Sequence, residues 1–235
     1  MDFASFYSLL LTKGLFFRRV DKYSDQYEGT LPDEIKEQFI ESFSLHSFPF
    51  ENKEDAKEKM ENSFIAHLRE LNKGTLCCSW VINKVENYAM WKIYLGGSRE
   101  GVSIRTTVGK LKAALKNNTV DFTFTKVSYD MPLWMESDYK TLVAFKTKPY
   151  SYESELRVLV YDQFETESVP MDVFPKVPLF EHGTTFSADT SVLIDEVHIS
   201  PFAENWFYEV IKSAIQIHLP SYDNKNIMSS KIKDK

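Results

Sequence analysis

Near the start of the chain, Phe3, Phe6, Tyr7 and Leu10 recur at intervals of three and four, which predicts a short amphipathic helix over residues 1–11. Lys13 and Gly14 stop it, and Leu15-Phe16-Phe17-Arg18-Arg19-Val20 reads as a strand. Residues 21–28 read as a polar loop carrying Asp25 and Glu28. Between residues 33 and 72 the apolar spacing is helical, in two pieces that break near Pro49. Residues 51–62 mix charges of both signs, the pattern of a solvated helix face. Residues 31–72 are therefore expected to be a helical insertion or lid.

Further along, short strands alternate with short helices. Strands are expected at 75–81, 101–107, 120–129, 153–161 and 192–199, with helices at 87–94, 108–116, around 133–144 and at 204–219. Gly96-Gly97 marks a turn. Residues 221–235 offer little to bury and are expected to form a disordered tail. No repeat of fixed period is visible. The pattern predicts an α+β fold: a mixed or antiparallel central sheet flanked by helices, with an N-terminal helical insertion, in a single domain over residues 1–220.

Composition sharpens this picture. The 18 Phe and 12 Tyr favour sheet and aromatic packing over a plain helical bundle, and only 8 Gly and 9 Pro speak against collagen-like or wholly disordered classes. A net charge of −6 argues against broad duplex DNA binding but leaves room for a local basic pocket that takes a nucleotide. The early run Leu9-Leu10-Leu11 is too short to span a bilayer, so neither a membrane helix nor a signal segment is expected. The adjacent Cys77 and Cys78 cannot readily pair with each other, and no zinc-ligand spacing accompanies them. A reducing, cytoplasmic setting is the expectation.

The densest candidate chemistry is Glu153-Ser154-Glu155-Leu156-Arg157. Strand alternation would turn Leu156, Val158 and Val160 toward the core and Glu153, Glu155 and Arg157 to the opposite, exposed face. Two carboxylates about 7 Å apart repel unless a cation, a proton or a ligand hydroxyl intervenes. Three readings stay open: a compensated surface ladder with Arg157, a pair that stabilises a ribosyl oxocarbenium ion, or ligands to a divalent metal completed by Asp25 or Glu28. Arg18 and Arg19, at a strand end, could clamp a diphosphate or pair with Asp21 or Asp25. Trp91 and Tyr94 lie near one helical face, either as core or as a stack for a flat base. Arg105, amid Ser103 and Thr107, could bind phosphate or pair with a carboxylate on a neighbouring strand, and Lys146 is open in the same way.

Taken together, several segments resemble a prokaryotic family known as a domain of unknown function, the DUF family numbered 2971. The resemblance is carried by Leu15-Phe16-Phe17-Arg18-Arg19-Val20-Asp21-Lys22-Tyr23-Ser24-Asp25-Gln26-Tyr27-Glu28-Gly29 and by Cys77-Cys78-Ser79-Trp80. Further motifs follow in order: Glu86-Asn87-Tyr88-Ala89-Met90-Trp91-Lys92-Ile93-Tyr94, Gly101-Val102-Ser103-Ile104-Arg105-Thr106-Thr107, and Phe145-Lys146 ahead of Tyr152-Glu153-Ser154-Glu155-Leu156-Arg157. Gln26 and Cys78 depart from the residues usual there, Pro and Phe. This resemblance implies membership more than chemistry.

A second resemblance is to ADP-ribosyltransferases, which combine an arginine or histidine on an early strand, a hydroxyl or aromatic on a middle strand, and a late glutamate. Arg18 or Arg19, Ser79 with Tyr94, and Glu155 follow that order, and Glu153-Ser154-Glu155 mimics a Glu-x-Glu motif. It implies an NAD-using enzyme, a toxin or antiphage effector, with NAD as co-substrate and Glu155 stabilising the ribosyl transition state. Glu153 would orient the acceptor, Arg19 or Arg105 would hold the diphosphate, and Trp91 or Tyr94 would pack on a ring. Lys146 and Arg157 complete the expected binding set, and a nucleotide ligand with a cognate antitoxin or effector protein is the expected company. The alternatives are a nuclease or phosphodiesterase using Asp25, Glu28, Glu153 and Glu155 around Mg²⁺ or Mn²⁺, and a non-catalytic nucleotide-sensing or protein-binding module.

Overall fold

The structure, a computed structural model, describes residues 1–23, 30, 36–37, 53–130, 139–161 and 180–232. In chain order the elements are α1 (Phe3–Thr12), β1 (Gly14–Arg19), α2 (Lys53–Lys73), β2 (Thr75–Val81), α3 (Tyr88–Leu95), β3 (Val102–Arg105) and α4 (Val108–Leu115). There follow β4 (Thr123–Lys126), α5 (Tyr139–Val143), a 3₁₀ turn (Lys148–Glu153), β5 (Glu155–Tyr161) and β6 (Gly183–Ser187). The chain closes with α6 (Thr190–Leu193), β7 (Glu196–Ile199), α7 (Asn205–His218) and β8 (Ile227–Ser229). This is an α+β fold with antiparallel and mixed sheets. Among the described residues, no helix is long and apolar enough to cross a membrane. Internal contacts group the chain into two compact units.

The first unit comprises Met1–Phe16, Asn83–Thr119 and Thr185–Lys235. Asp2 caps α1 by accepting from the Ser5 amide at 2.8 Å, and the left-handed Lys13, with φ 48°, ends the helix. Asn87 caps α3 in the same manner, and Gly96 and Gly97, with φ of 55° and 99°, turn the chain out of it. The sheet runs β3-β7-β8, antiparallel in its first pair and parallel in its second. Phe3 meets Phe207 edge to face at 5.7 Å, packing α1 on α7.

Two expectations fail in this unit. The apolar stretch 192–199 is not one strand: Asp189 accepts from the Ser191 and Val192 amides and starts the single turn of α6, so pairing begins only at Glu196. Residues 221–235 are not simply a tail, because β8 pairs with β7 and buries Ile227. The backbone partner, which a sequence does not display, supplies what the sparse side chains lack.

The second unit comprises Phe17–Ile82 and Val120–Thr184. Its strands belong to a sheet of order β4-β5-β2-β1-β6. β5 is antiparallel to β2, with Cys77 opposite Leu159, Ser79 opposite Arg157 and Val81 opposite Glu155. It is equally antiparallel to β4, with Thr125 opposite Arg157. One sheet face is covered by Val20, Tyr23 and Val143, which pack on Cys77 and Leu159. A further layer joins α2 to α5 through Leu68, Leu142, Phe64 and Leu71. The helix α2 lies within the region expected to be an insertion, whose remaining residues, apart from 36 and 37, lie outside the described set.

Candidate functional site

The Glu-Ser-Glu segment is not continuous strand. Glu153 ends the 3₁₀ turn, Ser154 is left-handed with φ 42°, and the ladder starts at Glu155. Because β5 is flanked by β4 and β2 and covered by α5, the face expected to be exposed is buried. Arg157 is 1% exposed and Glu155 4%, whereas Leu156, expected in the core, is only half-buried. Val158 and Val160 are buried as expected, so the alternation holds and the strand is interior on both faces rather than on one.

A buried charge needs a partner, and this cluster supplies one for each of its members. Arg157 donates Nε to Glu155 Oε1 at 3.0 Å and Nη2 to Glu155 Oε2 at 3.3 Å, while its Nη1 donates to the Val143 carbonyl at 2.6 Å. Lys146 Nζ donates to Glu153 Oε2 at 2.7 Å and lies 3.8 Å from Glu155 Oε2. Two cations thus stand against two carboxylates, with Lys146 between them. Lys146 is placed by its own backbone, which donates to the Ser128 carbonyl at 3.0 Å. Its ammonium also sits 4.7 Å from the Tyr150 ring centroid. Tyr129, absent from the sequence-based set, closes the start of the ladder by accepting from the Glu155 amide at 2.9 Å.

Across the same face, Arg18 stands opposite Cys77, and Ser79 opposite Arg157. Residues opposite one another share a face, as do residues two apart on one strand, so Arg18, Ser79, Arg157 and Glu155 all project to one side across β1, β2 and β5. Arg18 and Ser79 are exposed there. Tyr23 lies over this face, its hydroxyl donating to the Cys77 carbonyl at 3.5 Å and its ring centroid 5.9 Å from the Arg157 guanidinium. Burial holds the Tyr23 phenol well above its ordinary range and raises the Cys77 thiol, against the opposing pull of Arg157. Burial also raises Tyr129, and pushes the Cys78 thiol up to about 12. At neutral pH these groups are donors rather than anions.

The remaining expected residues separate. Arg19 takes the Asp21 pairing that its spacing allowed: it is buried and donates to both Asp21 oxygens, at 2.8 and 2.6 Å, and to the carbonyls of Phe180 and Glu181. Arg105 pairs at 3.0 Å with Glu196, the residue opposite it on β7, the neighbouring-strand carboxylate that its spacing allowed. Trp91 is core, packed with Leu95 and Phe202, while Tyr94 is 49% exposed, so the two do not form one stacking surface. Trp91, Tyr94 and Arg105 belong to the first unit, and the Glu155 cluster to the second. Asp25 and Glu28 lie outside the described residues. Among the described residues, no three His, Cys, Asp or Glu side chains are grouped to hold a metal ion.

No family model matches the chain, and neither the curated proteins nor the solved structures contain a significant match. The resemblances therefore rest on the motifs themselves and on how the fold disposes their residues.

Proposed function

We propose that the chain is an ADP-ribosyltransferase-like enzyme that uses NAD as co-substrate, acting as a toxin or antiphage effector. The observation that carries this reading is the placement of Arg18, Ser79 and Glu155 on three neighbouring strands with their side chains to one face. That is the early arginine, middle hydroxyl and late glutamate of the resemblance, converted from sequence order into adjacency. Arg18 is the diphosphate ligand, replacing Arg19, whose guanidinium is spent on Asp21 and two carbonyls. Ser79 holds a ribose hydroxyl. Glu155, fixed through two hydrogen bonds by Arg157, keeps acceptor capacity for charge that develops on the ribose, since a carboxylate offers about four lone-pair sites.

In the reaction the bond between ribose C1′ and the nicotinamide nitrogen breaks, and its electron pair leaves with nicotinamide. The acceptor heteroatom bonds to C1′, and its proton passes to Glu153, which Lys146 holds in place. The test is nicotinamide release from NAD. Glu155→Gln is expected to lose about 10²–10³-fold in kcat, as for a single preorganised transition-state group. Arg18→Gln, at an exposed position, is expected to raise KM for NAD while leaving the melting temperature unchanged. Folded protein that neither binds nor turns over NAD would sink the proposal.

The complete pairing of the buried charges favours one other reading, a non-catalytic nucleotide-sensing or protein-binding module in which they hold the sheet to α5. In that case Glu155→Gln lowers stability and there is no turnover to lose.

A further inference from the structure

A cleft of about 330 Å³ opens in the first unit, between the end of α3 and the turn leading into α7. Its apolar lining is Leu95, Pro201, Phe202 and Ala203, and two cations, Lys92 and Arg99, stand in its wall. The Lys92 ammonium lies 3.8 Å from the Phe202 ring centroid and 5.4 Å from that of Tyr88, which holds a flexible side chain in place. Arg99 donates Nε to the Phe202 carbonyl at 2.8 Å, and its Nη2 pairs with Glu204 at 3.0 Å. Its Nη1 meets no acceptor among the described residues, so the guanidinium is anchored on one edge and open on another. Gly97, with φ 99°, borders the cleft, and a Cβ there would meet nothing within 4 Å, so bare backbone faces the opening.

We propose that this cleft binds the phosphate monoester of a small metabolite. A monoester carries about −1.5 to −2 at neutral pH, which Lys92 and Arg99 match once it displaces Glu204 from the guanidinium, and a single carboxylate does not. The open edge of a guanidinium suits paired phosphate oxygens, and an ammonium adds a point charge beside it. Ligand pockets run from about 300 to 1,000 Å³, so this one takes a short carbon skeleton against Leu95, Pro201 and Ala203 rather than a dinucleotide. Glu204 competes with the ligand for Arg99, and this gives the test its sign. The inference does not rest on the transferase reading, whose residues lie in the other unit.

The experiment is calorimetric titration of the full chain with glycerol 3-phosphate, with glycerol and malate as controls. Saturable binding in the millimolar range or tighter is expected, weakened about tenfold by Arg99→Gln through loss of a charge-assisted hydrogen bond. Glu204→Gln, which removes the competing carboxylate, is expected to tighten it. Both variants alter exposed side chains, so folding is retained and is checked by the melting temperature. Binding no better than that of glycerol, binding indifferent to Arg99→Gln, or equal binding of malate would each overturn the proposal.

Discussion

Arg157→Met tests whether the charge cluster is held as its geometry implies. The wild-type guanidinium makes two hydrogen bonds to Glu155 and one to the Val143 carbonyl, and it is 1% exposed. Removing it leaves Glu155 buried, with Lys146 at 3.8 Å the only cation among the described residues to offset its charge, and that lysine is already donating to Glu153 at 2.7 Å. Breaking a buried pair by deleting one partner costs about 3–5 kcal/mol. The residual attraction to Lys146 places the expected loss near the lower end, about 3 kcal/mol. With a urea slope of about 2 kcal/mol per molar, the unfolding midpoint falls by about 1–2 M. The double variant Glu155→Leu/Arg157→Met removes both charges together, so it should return to within about 1–2 kcal/mol of wild type, the remainder reflecting the orphaned Val143 carbonyl. Single variants and the double are compared by urea denaturation followed by circular dichroism. An Arg157→Met protein as stable as wild type, or a double variant as unstable as the sum of the singles, would refute the reasoning.

Other expectations follow from the same structure. Cys77 is buried and the Cys78 thiol is pushed up to about 12, so neither should react with a thiol reagent at pH 8 until denaturant is added, and then both should. Early reaction in the native protein would contradict this. Trp91→Ala, emptying a site packed by Leu95 and Phe202, should cost about 3–5 kcal/mol by thermal or urea melts. Asp189→Ala should cost about 1 kcal/mol at pH 7 through loss of the α6 cap. Hydrogen bonds from Ser191, side chain first, hold the Asp189 carboxyl below its ordinary range. The carboxylate contribution is therefore present above about pH 4 and is lost as pH falls through the lower native value, so the gap between wild type and variant should narrow in acid melts.

Much of the fold was legible because it is written in local rules. Thr75–Val81 was expected at its observed bounds, and Asn87 and the Gly96-Gly97 pair frame α3 with ordinary cap and turn chemistry. What was not legible depends on non-local partners. Period-two alternation places Glu155 and Arg157 on one face, but only the flanking β2 and β4 and the cover of α5 decide that this face is interior. Tyr129 and Tyr23 join the site through register and chain return, for which no spacing rule exists. Arg19 carried a warning in the sequence, since Asp21 two residues on was a ready partner. Residues 192–199 read as strand because Val and Ile are β-formers, a weak preference that one aspartate cap overrides.

The left-handed Ser154 has a consequence for how this protein can change over time. Glu153 and Glu155 are separated by one residue, yet each answers to a different framework: the first to the 3₁₀ turn, the second to the strand ladder. A lengthened or shortened segment between Lys146 and Glu153 would relocate one carboxylate while the other stayed in register. The joint lets the turn-borne carboxylate shift under selection while the strand-borne one stays where it is. A glycine at position 154 would keep that freedom, whereas a β-branched residue there would resist the turn and weld the halves together.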